Sequence, residues 1–174
     1  MKDSLEHTSL FKQAMGNYPT GVSIVTAMDE NNEPIGLTVN SLASVSIDPL
    51  LILWSIDQNV STYHTFTNID TFAINILAGE QTDIAYLFAS DALDNKERFE
   101  KCEWALSDKN LPVIANAMAT FECQTYKRVE IGDHTTLFGE IFNIQVADRA
   151  PLLYHQRKIA AFPESFHKPL DNSK

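Results

Sequence analysis

The stretch GLTVNSLASVSIDP, residues 36–49, alternates like a strand and then breaks its own rule. Leu37, Val39, Ala43, Val45 and Ile47 hold the odd, apolar positions, and Thr38, Asn40, Ser44, Ser46 and Asp48 the even, polar ones. Ser41 and Leu42 are exchanged. Because side chains on a strand alternate faces with period two, such a swap predicts a bulge or twist that turns Asn40 and Ser41 toward one side while Leu42 packs inward. The hydroxyls and the amide offer neutral donors and acceptors on a rigid element. They suit a planar heteroaromatic ring with alternating carbonyl and N–H groups, and equally the wet face of an edge strand.

Working outward, Gly21 to Thr26 is β-branched, 31–34 is turn chemistry and Gly36 opens the second arm of a hairpin. Strands are expected again at Leu50 to Ile56, Phe72 to Leu77, Ala119 to Arg128 and Thr135 to Val146, the last two joined by a Gly132-Asp133 turn. Leu10, Phe11, Ala14 and Met15 mark the apolar face of a short helix that Gly16-Asn17 would close with a left-handed cap. Ile84, Leu87 and Phe88 mark another, Ser61 reads as the N-cap of a third, and 91–101 as a charged loop or weak helix. Many strands without regular strand–helix alternation predict a mainly β protein, an antiparallel barrel with a few short helices. Without a linker or composition shift, 1–174 reads as a single domain.

Thirteen Lys and Arg against twenty-three Asp and Glu give a net charge of −10, so the average field repels nucleic acid and anionic membrane. Any phosphate must be held by local geometry. No apolar run approaches the roughly 20 residues of a membrane helix, and Cys102 and Cys123 lack metal-site spacing, which together predict a cytoplasmic protein with free thiols. The five His residues show no ligand spacing, so no metal is expected. Hydrolase elbows, the Walker loop and the Gly-x-Gly-x-x-Gly fingerprint are all missing. Ser61-Thr62, at a helix start, supplies hydroxyls and free backbone N–H groups for one phosphate, or simply a cap. Lys96 and Arg98, flanked by acids, read as a solvated face.

In order along the chain stand FKQAMGNYPTGVSIVTA, GLTVNSLASVSIDPLLILWSI, Ser61-Thr62, FAINILA, DNKERFEKCEW, ATFECQ, GDHTTLFGEI and PLLYHQRKIAAF. From Phe11 to about Phe162 they resemble the flavin reductase family with the FMN-binding split-barrel fold, leaving 163–174 as a tail. The resemblance implies NAD(P)H-dependent reduction of FMN, or FAD, by a homodimer that supplies a separate monooxygenase. A carrier or sensor module and a self-contained flavin oxidase of the same fold are the alternatives. It places Thr20, Thr38, Val39, Asn40, Ser41 and Ser44 along the flavin, with Trp54 and Ser55 bordering them. Ser61, Thr62 and, more weakly, Lys96 fall to the phosphate, His134 of Gly-Asp-His to the nicotinamide, and Tyr154 and Arg157 to the dinucleotide. The family commonly has glycine after Leu-Leu-Tyr, where this chain has His155-Gln156-Arg157-Lys158.

Overall fold

The computed structural model describes residues 2–163 and 165, so most of the expected tail lies outside the described residues. The chain opens with helix α1 (Lys2–Asn17) and strands β1 (Thr20–Gly21), β2 (Ser23–Met28), β3 (Pro34–Val39), β4 (Ala43–Ile47) and β5 (Leu50–Asp57). It continues through α2 (Tyr63–Phe66), β6 (Thr71–Ile76), α3 (Thr82–Ala89), α4 (Asn95–Glu100), β7 (Trp104–Leu106) and β8 (Pro112–Ile114). The long pair β9 (Ala119–Ile131) and β10 (His134–Val146) follows, then the hairpin β11 (Leu152–His155) and β12 (Lys158–Ala161).

Seven strands form one antiparallel sheet in the order β3-β2-β6-β9-β10-β5-β4. Its two edge strands are consecutive in sequence and joined by residues 40–42 alone. A link that short reaches at most about 14 Å at 3.3–3.6 Å per residue, so the sheet has to curl until its edges nearly meet. The opening stretch is therefore two strands on opposite sides of a seam, which corrects the expected bulge at Ser41-Leu42. The exchange of parity marks the point where the chain leaves one edge for the other. An actual register shift lies further on, between Ser44 and Ser46 against β5.

Ser41 occupies the apolar parity for a reason visible at the seam. Its Oγ accepts from Ser55 N at 2.9 Å and donates to Ser55 O at 3.2 Å. Ladder pairing of β4 with β5 ends at Ala43–Leu53, so Ser55 faces the gap. One hydroxyl thereby serves both backbone groups as a neighbouring strand would.

Trp54, Phe66, Phe72, Ile74 and Leu137 fill the barrel, with Trp54 in edge contact with Phe66 and Phe72 at 5.4 and 5.9 Å between centroids. Strand β2 is buried on both faces: Val25 and Ala27 join that core, while Ile24, with Val22 just before the strand, joins an outer one with Leu77, Phe88, Phe99 and Leu152. Gly36 is required there, because a Cβ would lie 2.5 Å from Phe88 Cε1 of α3. Arg98, expected in a solvated face, is buried. Its guanidinium donates to Ser90 O at 2.6 Å and to Gly36 O at 3.4 Å, clamping α4 to β3. Helix α4 itself starts with a capping box between Asp94 and Glu97, a signal available in the sequence of that charged segment.

Helix α1 is longer than expected and lacks the expected left-handed cap, since neither Gly16 nor Asn17 has positive φ. Every residue from 5 to 15 is exposed, the apolar Leu10, Phe11 and Met15 included. No helix among the described residues is long and apolar enough to cross a membrane.

Candidate functional site

At the seam of the barrel lies an open groove of about 860 Å³, within the range of small-molecule sites. Segments distant in sequence build it: the end of α1, residues 18–21, the 40–43 link, the start of β10, and the β11–β12 hairpin. Thr20, Asn40, Ser41, His134, Tyr154 and Arg157 all line it. Strand β1 pairs with β11 so that Thr20 lies opposite Tyr154, and β10 pairs with β5 so that His134 lies opposite Asp57.

Its polar groups fall into committed and uncommitted sets. The Ser41 hydroxyl is taken by Ser55, as described above. Asn40 is exposed, and its amide makes no hydrogen bond to the described residues. The Oγ1 of Thr20 is buried without a partner, a state that natural sites resolve with a ligand or water. His134 Nδ1 lies 2.7 Å from Asp133 Oδ1. The His134 ring beside it holds the Asp133 carboxyl below the usual carboxylate range, and an ionised carboxylate only accepts, so Nδ1 carries the proton. In the neutral ring Nε2 is then an acceptor. Across the strand pair, the Asn59 backbone N–H and side-chain amide, at 2.8 and 2.9 Å, hold Asp57 low as well.

The remaining sequence candidates lie elsewhere. The Thr38 hydroxyl donates to Ala85 O at 2.8 Å, and Val39 is buried in the barrel core. Trp54 is fully buried, its Nε1 unpartnered, so its ring borders the interior and not a surface ligand. Ser44 is exposed on edge strand β4, and Ser55 Oγ bonds Thr136 Oγ1 at 2.9 Å. Ser61 is not the N-cap of α2; that position is Thr62, whose buried Oγ1 caps nothing and has no partner. The amides of Val60 and Tyr63 are already bonded, to Asp57 O and Val60 O. Lys96 is exposed on α4, outside the groove.

Sequence reasoning missed the α1 wall, with Phe11, Lys12 and Met15, and the floor at Tyr18 and Pro19. An apolar helix face looks the same in sequence whether it packs on a core or lines a groove. Cys102 and Cys123 are free thiols, pushed by burial up to about 11 and about 12, and take no part.

Solved flavin reductases share this split antiparallel barrel. Residues 15–163 match the family described as flavin reductase like domain, and the chain belongs to that family. It is 41% identical over 154 residues to the reductase component of a flavin-dependent trigonelline monooxygenase from Acinetobacter baylyi, covering 88% of this chain and 49% of that protein, so the chain spans about half of that relative. Agreement with an NADH-dependent FMN reductase of Agrobacterium fabrum is 37% over 149 residues, covering 86% and 83% of the two chains. The solved NADH:FAD oxidoreductase of Streptomyces globisporus, in complex with NAD and FAD fragments, superposes with a TM-score of 0.84 at 30% identity, covering 92% of this chain and 96% of that one.

Proposed function

We infer that the protein is an NAD(P)H:flavin oxidoreductase, one flavin reductase-like domain that works as a homodimer in the cytoplasm and supplies reduced FMN to a separate monooxygenase. The observation that carries this reading is the groove itself, where six residues from separate parts of the chain meet on one seam. The unpartnered Thr20 hydroxyl and Asn40 amide fit the carbonyl and N–H edge of a flavin. When bound, flavin supplies the hydride-accepting centre.

The chain's own residues position and polarise. Ser41, fixed on Ser55, holds the 40–43 link rigid so that its backbone meets the ring in one geometry. His134, oriented by Asp133, presents Nε2 to the carboxamide N–H of a nicotinamide. No general base is needed. Ser61 and Thr62 remain the assignment for the flavin phosphate, which rests on the family resemblance. The exposed Val45, Ile47, Phe142, Ile144 and Val146 on barrel strands fit burial against a second copy. The printed role of the Acinetobacter relative, a reductase component, supports delivery to an oxygenase.

Steady-state NADH oxidation against added FMN tests the reading. Saturable dependence on free flavin is the expected result; stoichiometric, non-exchanging flavin with a rate indifferent to added FMN would overturn it in favour of a self-contained flavoprotein. Ser61→Ala with Thr62→Ala should weaken FMN more than riboflavin in a fluorescence titration, and equal losses would remove the phosphate assignment.

A further inference from the structure

In a chain of net charge −10, the seam groove is lined by Lys12, Arg157 and His134 and, among the described residues, by no carboxylate. Other clefts with charged linings carry acids: Asp29, Glu30 and Asp70 in the one beside α2, Asp108 and Glu122 in the one beside β10. Neither Lys12 nor Arg157 is ion-paired among the described residues. The two cations belong to one mechanical unit. Gln156 N donates to Gly16 O at 2.8 Å and Gln156 Nε2 to Asn17 Oδ1 at 2.6 Å, while Asn17 Nδ2 donates to Gln13 O at 2.8 Å. The hairpin turn carrying Arg157 is thus tied to the end of the helix carrying Lys12. Finally, Gln156 and Arg157 have φ of 49° and 62°, a region where L side chains are strained and glycine is at ease. The arginine is thus held where the backbone alone would favour glycine.

We propose that Lys12 and Arg157 together grip the diphosphate of the pyridine dinucleotide, Arg157 as a forked donor and Lys12 as a point charge, which makes helix α1 one wall of the nucleotide site. The proposal rests on the reductase reading and adds the group recognised. Binding a dianionic linker at one end and a carboxamide at His134 would fix the dinucleotide at two points along one groove.

The test compares NADH with reduced nicotinamide mononucleotide, which lacks the diphosphate bridge, using FMN as acceptor. Lys12→Glu and Arg157→Glu should each raise KM for NADH about tenfold or more and change that for the mononucleotide less than about twofold. Lys12→Arg should restore most of the loss. Arg157→Gly should also weaken NADH while raising the melting temperature, a pair of changes that a merely structural arginine would not give. Equal losses for both nucleotides, or unimpaired NADH use by Arg157→Gly, would overturn the proposal. Calorimetric titration with ADP-ribose separates it from the reductase reading, since binding there needs no turnover. Cation-dependent ADP-ribose binding by a protein that oxidises no NADH would refute the activity and keep the site; binding unaltered in Lys12→Glu would refute the site. Weakened FAD with unchanged FMN and an unchanged ratio between the two nicotinamide substrates would assign the grip to the flavin diphosphate instead, against the proposal.

Discussion

Two tight turns flank the groove, and they place positive φ on opposite chemistry, one on a single glycine and the other on two residues with side chains. Between β9 and β10, Ile131 pairs with His134 and the two-residue loop begins with Gly132 at φ 63°, the position where a turn of this kind favours glycine. Between β11 and β12, His155 pairs with Lys158 and both loop residues, Gln156 and Arg157, have positive φ without being glycine. The first turn is relaxed and delivers a histidine from the strand beside it. The second is strained, held by bonds to Gly16 and Asn17, and delivers an arginine from the turn itself. Departure from the residue that backbone physics prefers points to function more directly than agreement with it.

The largest effect expected on this contrast comes from Gly132→Val. A side chain at that position would meet nothing within 4 Å, so the whole penalty is conformational, about 2 kcal/mol of lost stability in denaturant unfolding. A loss below the error of the measurement would mean that the two turns do not differ in strain. Next in size, Arg157→Gly should gain about 1 kcal/mol, the strain relieved exceeding the added freedom of the unfolded chain. A destabilised Arg157→Gly would show that the side chain, and not the backbone, holds that turn. Asn17→Ala removes the acceptor of Gln156 Nε2 and should cost about 0.5–1 kcal/mol, with a faster amide exchange confined to 155–158.

The smallest effect is electrostatic. Asp133 is held low by His134, and a carboxyl with a depressed folded pKa stabilises fully above its unfolded value and loses that contribution as pH falls through the lowered folded one. The contribution should fade only below the ordinary carboxylate range. Both groups are exposed, so the change is slight and best followed by NMR titration of Asp133 in the parent and in His134→Asn. An identical Asp133 titration in the two would show that the histidine does not orient against that carboxylate.

Much of the barrel was legible because long strands write their period clearly: β5, β6, β9 and β10 lie close to where β-branched runs placed them. The short strands β7, β8, β11 and β12 were not read, since three or four residues carry no usable periodicity. Of the six candidates that converge, Asn40 and Ser41 at the parity break and His134 after a turn glycine have unusual local context, whereas Thr20, Tyr154 and Arg157 have none and came from the resemblance. Trp54 and Val39 were misplaced for the opposite reason: neighbours in sequence on a strand point to opposite faces, and the barrel interior claims one of them. Lys12 gave no signal, because an exposed helix lysine is ordinary until the fold brings Arg157 beside the same groove.

The seam between β3 and β4 also bears on how the chain reaches its fold. The β2–β3, β4–β5 and β9–β10 pairs are hairpins whose partners meet early, each closing a short loop. The ring also needs non-local pairings, β2 with β6, β6 with β9 and β5 with β10, the last joining residues as far apart as Asp57 and His134. Until the non-local pairings form, the 40–42 link connects two free sheet edges with nothing but the local Ser41–Ser55 bridge to set its path. Non-local pairing of this kind belongs to folds that form in about milliseconds to seconds, and the groove exists only once the two sheet edges have been brought together.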